Sequence, residues 1–127
     1  MAYKLQYASN FFLNLHKRRN FEKMLAPISD NLAILGNISN VDTEENRKLY
    51  DEFLAYTSSN WKNVYLVPGP YEYSSRRPTV FYDLYTNLTG VKHKYNNITI
   101  LNNSSTSIPS TNISLVGSTL WTKNPYY

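Results

Sequence analysis

The sequence predicts an α/β fold with a parallel sheet. Three observations carry that prediction. Strand and helix patterns alternate through the first half of the chain. The apolar runs are short and stop at Gly, Asn or Pro. The length of 127 residues suits one domain spanning 1–127. A chain of this size buries roughly two-thirds of its unfolded surface, enough for a real core.

Each element follows from its residues. Residues 3–9 alternate, with Tyr3, Leu5 and Tyr7 on one side and Lys4 and Gln6 on the other, which is strand spacing. A mixed stretch from Phe11 to Leu15 and the basic run His16-Lys17-Arg18-Arg19 come next. Phe21, Met24, Leu25 and Ile28 then recur at helical spacing behind Asn20 as a cap, with Pro27 shortening the helix. Leu32-Ala33-Ile34-Leu35 is a second strand, ending at Gly36. Asp42 followed by Glu45 has the spacing of a capping box. The helix behind it carries Leu49, Phe53 and Tyr56, widened by Tyr50 and Leu54, until Ser58-Ser59-Asn60 breaks it. Asn63-Val64-Tyr65-Leu66-Val67 is a third strand, stopped by Pro68-Gly69-Pro70. The order β-α-β-α-β implies parallel pairing through right-handed crossovers. In such sheets sites form at the carboxyl ends of strands, here Asn10, Gly36-Asn37 and Gly69-Pro70-Tyr71. Further on, Pro78 to Leu88 reads as helix or irregular chain. Ile98 to Leu101 and Asn112 to Val116 read as strands, joined by a polar loop or hairpin connection from Asn102 to Thr111.

Composition excludes several chemistries. There is no cysteine, hence no disulfide, thiolate metal site or cysteine nucleophile. Two histidines, His16 and His93, leave little for imidazole chemistry, and the four glycines are too dispersed for a phosphate-cradling loop. No apolar run is long enough for a membrane span and the first residues lack a signal-peptide pattern, so an intracellular protein with no membrane partner is expected. The net charge of +4 is a small excess. The run at 16–19 and Arg76-Arg77 lack aromatic interleaving, so they read as solvated charge, and nucleic acid is not an expected partner. Sixteen asparagines and twelve tyrosines read as the codon bias of an AT-rich genome. A large DNA virus has such a genome, which places a virion component among the expected roles. The Asn-x-Ser/Thr sequons at Asn37, Asn87, Asn97, Asn102, Asn103 and Asn112 follow from the same bias.

The strand ends carry a resemblance. Gln6-Tyr7-Ala8-Ser9-Asn10-Phe11-Phe12-Leu13 looks like the first motif of the calcineurin-like metallophosphoesterases, a strand ending in Ser-Asp-x-His. Leu35-Gly36-Asn37-Ile38-Ser39 is similar to the second, Gly-Asp-Ile-Ser, and Val67-Pro68-Gly69-Pro70-Tyr71-Glu72-Tyr73 to the third, Val-Pro-Gly-Asn-His-Glu-Tyr. Leu115-Val116-Gly117-Ser118-Thr119-Leu120-Trp121 is similar to a segment common in one bacterial and viral branch. The resemblance implies the first half of that family's two-sheet sandwich, and family sites in which carboxylates and imidazoles hold two metal ions.

The chemistry of those ligands does not carry over. The first-motif Asp and His positions hold Asn10 and Phe12, the bridging Asp position holds Asn37, and the third-motif Asn and His positions hold Pro70 and Tyr71. Amides are poor ligands for a dication, Phe and Pro supply none, and a phenol is a poor general acid at neutral pH. The turn glycines Gly36 and Gly69 and the motif's Glu72 remain. The family's distal Gly-His-x-His motif has no counterpart. The expectation is a half-length pseudoenzyme without metal or cofactor, acting as a structural or protein-interaction component. Its uncovered sheet would meet a protein partner or another copy, with Phe11, Phe12, Tyr71, Tyr73 and Trp121 as candidate contacts. The competing expectation is a residual metal-dependent phosphoesterase completed by a partner chain.

Overall fold

The computed structural model describes residues 2–16, 20–74, 81, 85 and 94–120. The fold is α/β. Strands β1 (Gln6–Ala8), β2 (Asn31–Ile34), β3 (Asn63–Leu66) and β4 (Ile98–Ile100) form one sheet in the order β1-β2-β3-β4, every pair parallel. Helices α1 (Phe21–Met24) and α2 (Glu44–Asn60) fill the first two crossovers. Strands β5 (Ser104–Ser107) and β6 (Ser114–Gly117) make a separate antiparallel hairpin.

The register explains the burial. Gln6, Leu32, Val64 and Ile98 stand in one row across the sheet, and Ala8, Ile34, Leu66 and Ile100 in the row two residues on. These rows share a face, since side chains alternate along a strand. Leu32, Ile34, Val64 and Leu66 are fully buried there with Leu49, Tyr50, Phe53 and Leu54 of α2. Each such side chain contributes about 1.5–3 kcal/mol through burial. Aromatic rings extend this core. Phe53 lies 5.0 Å from Phe11 and 5.4 Å from Phe21, centroid to centroid. Tyr50, Phe81 and Tyr85 form a second group at 4.9–5.6 Å.

The opposite face carries Tyr7, Ala33, Tyr65 and Thr99 in one row, with Leu5, Leu35 and Val67 at its margins. The β5–β6 hairpin stands over only part of it. A Cβ added to Gly117 would collide with Leu101 Cβ and sit 3.0 Å from Val67, so β6 lies directly on the β3–β4 side. Over β1 and β2 the face opens as an apolar groove of about 350 Å3.

Several boundaries differ from the sequence reading. The first helix is a single turn, capped by Asn20, whose side chain accepts from Lys23 N at 3.1 Å. It stops at Leu25, which is extended, and leaves Ile28 exposed. Pro27 disfavours helical backbone just before it and supplies no N–H, so the pattern through Ile28 has no ladder to follow. The cap of α2 is Thr43, not Asp42: Thr43 Oγ1 accepts from Asn46 N at 3.1 Å. Thr43→Ala should therefore lower the unfolding free energy by about 1 kcal/mol, measurable as a lower urea midpoint. The helix continues through residues 58–60, and two of their polar side chains find partners: Ser58 Oγ donates to Asn97 Oδ1 at 2.6 Å, and Asn60 Nδ2 to the Tyr56 carbonyl at 2.8 Å. The strand expected at Asn112 to Val116 begins two residues later, and its partner β5 lies inside the polar connection. Most of the segment from Pro78 to Leu88 lies outside the described residues.

Candidate functional site

The three strand-end loops converge. The chain leaving β1 runs beside the one leaving β2: Asn10 N donates to the Gly36 carbonyl (3.1 Å), Phe12 N to Asn37 (3.1 Å) and Leu13 N to Ile38 (2.8 Å). To follow that path Asn10, Phe12 and Asn37 take left-handed backbone, with φ of 61°, 45° and 57°. Asparagine tolerates this region; a bulky Phe rarely does. Phe12 is held there by the two flanking hydrogen bonds and by its ring, edge-on to Tyr71 at 5.0 Å.

Glu72 clamps the β2 and β3 loops together. It is fully buried. Its Oε2 accepts from the backbone N–H of Asn37 (3.0 Å) and Gly69 (2.9 Å), and its Oε1 from that of Ile38 (3.0 Å). Tyr50 Oη donates to Oε1 more weakly, at 3.4 Å. Burial pushes the Glu72 carboxyl above its ordinary value, and the N–H groups of Ile38, Asn37 and Gly69 pull against that. Tyr50 is pushed well up as well, by burial and then by the neighbouring Glu72 charge, so it stays a neutral donor.

Above the clamp lies a network of amides. The Tyr71 backbone N–H donates to Asn37 Oδ1 at 3.0 Å, which fixes which end of that amide is oxygen. Asn37 Nδ2 then donates to Asn10 Oδ1 at 2.8 Å. The Tyr71 hydroxyl accepts from Asn14 Nδ2 at 2.7 Å and, at the limit, from Asn40 Nδ2 at 3.5 Å. Asn40 Oδ1 in turn accepts from Asn46 Nδ2 at 2.6 Å, tying the network to α2.

The structure thus brings together Asn10, Phe12, Asn37 and Tyr71, with Pro70 exposed at the turn beside them. Tyr73 is half-buried and packs edge-on against Phe81 at 5.5 Å. Phe11 corrects the sequence expectation of a contact residue: it is buried on Phe53, because the turn at Phe12 directs the preceding side chain into the core. Trp121, His93, Arg76, Arg77 and the basic residues 17–19 lie outside the described residues, and His16 is exposed after the short 3-10 turn. Among the described sequon asparagines, Asn37 donates its Nδ2 as above and Asn97 donates its own to the carbonyls of Ser58 (2.8 Å) and Trp61 (2.9 Å), while Asn103 Oδ1 accepts from Ser118 Oγ. Sequence reasoning missed Asn14, Asn40 and Asn46. Nothing local marked them among sixteen asparagines, and only the convergence of loops singles them out.

These residues do not fit a two-metal centre. A pair of dications needs anionic or strongly donating ligands. The matched positions hold amides bonded to one another, a phenyl ring, a proline and the Tyr71 phenol, and the nearby Glu72 carboxylate is buried and taken up by three backbone N–H groups. Asn14 Oδ1 is buried without a partner, but it is one neutral oxygen. Among the described residues no three His, Asp or Glu side chains gather in one place. No protein-family model, curated protein or solved structure matches the chain.

Proposed function

We propose that this chain is a catalytically inactive, metallophosphoesterase-like protein that works as a structural or protein-interaction component. One observation carries the reading: Asn37 Nδ2 donates directly to Asn10 Oδ1 at 2.8 Å. Two carboxylates at that separation repel unless a proton or cation lies between them. Two amides attract, so the interaction that a bridging cation would have to supply is made by the protein itself. Glu72, the two turn glycines and the loop hydrogen bonds preserve the shape of the strand ends without their charge. A partner chain bringing distal histidines would still meet Asn10, Phe12, Asn37 and Pro70 on this side, which disfavours the residual-enzyme reading.

Calorimetric titration of the full chain with Mn2+ and with Zn2+ tests the proposal. The expected result is no binding tighter than millimolar, and no phosphoesterase activity restored by Asn10→Asp alone. Micromolar binding of two ions per chain, or metal-dependent hydrolysis by that single variant, would overturn it.

A further inference from the structure

The open half of the sheet's second face is a surface the strand-end site leaves unexplained. We propose that it joins two copies of this chain in a twofold dimer, each copy's β6 seated over the β1–β2 half of the other. This deepens the interaction reading above and rests on it.

Three observations favour a second copy as the occupant. First, the groove has both halves of a reciprocal contact. Its floor runs from Leu5, Tyr7 and Leu35 to the buried Ala33 and Tyr65, and its wall is Leu115 and Val116 of β6. Floor and wall residues remain in water, Tyr7 at 74%, Leu35 at 49% and Val116 at 80% exposure, with Leu120 just beyond at 91%. A twofold contact needs such a self-complementary patch, in which wall meets floor twice. Second, among the described residues no charged side chain lines the groove. A twofold axis brings a patch against itself, so any charge near the axis would meet its like, and the described lining is wholly uncharged. Third, the area suffices. Covering Tyr7, Leu35, Val116 and Leu120 removes roughly 500 Å2 from each copy, or about 1,000 Å2 in all, the lower bound for a specific interface. The geometry is also what a sheet requires. The hairpin begins a second layer about 10 Å above the first, and a second hairpin beside it would complete that layer.

The test is the mass of the full chain in solution, by light scattering or sedimentation, up to about 100 μM. The expected mass is that of two chains. Tyr7→Lys and Val116→Glu alter exposed side chains and should leave the far-UV circular dichroism unchanged while weakening the dimer at least about tenfold. Glu52→Lys, on an exposed position of α2, should leave it intact. Mixing Tyr7→Lys with Val116→Glu should restore a dimer, because the altered residues then face each other across one of the two equivalent contacts. A monomeric wild type overturns the pairing, as does a chain that associates only with a different protein, or a dimer indifferent to both groove variants. None of these arms involves metal, so the titration above stands or falls separately.

Discussion

Glu72→Ala should lower the unfolding free energy by about 3–5 kcal/mol, a large share of the roughly 5–15 kcal/mol available to a domain. The variant strands three backbone N–H donors, those of Asn37, Ile38 and Gly69, which now meet carboxylate oxygens at 2.9–3.0 Å. Each buried unsatisfied donor costs about 1–3 kcal/mol, less whatever the loops recover by relaxing. Urea denaturation followed by tyrosine fluorescence reads the loss directly. A change below about 0.5 kcal/mol would mean that the two loops hold together without the clamp.

The same residue should leave a signature in pH. Burial holds the Glu72 carboxyl above 4.5, so the folded chain binds the proton more tightly than the unfolded chain does. Its contribution to stability is complete below the unfolded value and is lost as pH rises through the folded one. Urea midpoints of the wild type should therefore contain a decline that starts near the ordinary Glu pKa and extends above it. Glu72→Gln should remove that component. Its midpoint should also lie lower overall, because an amide offers one acceptor oxygen where the carboxylate offers two. The neighbouring phenols Tyr50 and Tyr73 are both raised by burial, above the ordinary tyrosine value of 10.0, so they titrate outside this window. An unchanged pH profile in Glu72→Gln would assign the decline to another group.

Gly36→Ala should cost about 2–4 kcal/mol through backbone strain and a clash. Gly36 has φ of +80°, and a Cβ there would sit 2.5 Å from Gly69 N and 2.6 Å from Gly69 Cα. Both are backbone atoms, so no side chain can swing away. The β2 and β3 loops must separate, which also pulls Gly69 N from Glu72. Denaturation of Gly36→Ala and Glu72→Ala singly and together should show less than additive losses, since both open the same junction. Full additivity would mean that the two loops yield independently.

Much of the fold was legible in the residues. The apolar run at 32–35, the stripe Leu49-Phe53-Tyr56 and the run at 63–67 marked two parallel strands and the helix between them, because a buried strand and an amphipathic helix each impose their own period. Turn glycines and Pro68-Gly69-Pro70 marked the strand ends. Local pattern was weaker where partners lie far along the chain. Residues 58–60 look like a helix stop, yet the helix continues through them, and Ser58 bonds to Asn97, thirty-nine residues away. Phe11 looked like a free aromatic until the left-handed turn at Phe12 sent it inward. The sequence alone determined the strand-helix order, the absence of cysteine, and the uncharged character of the strand-end residues Asn10, Phe12, Asn37 and Tyr71. Tertiary structure alone decided that Asn10 and Asn37 bond to each other, that Asn14, Asn40 and Asn46 join them, and that the sheet is covered on one face and half open on the other. The physical reason is range: secondary structure follows from neighbours a few residues apart, whereas amide pairing and uncovered surface depend on which distant loops and layers come together.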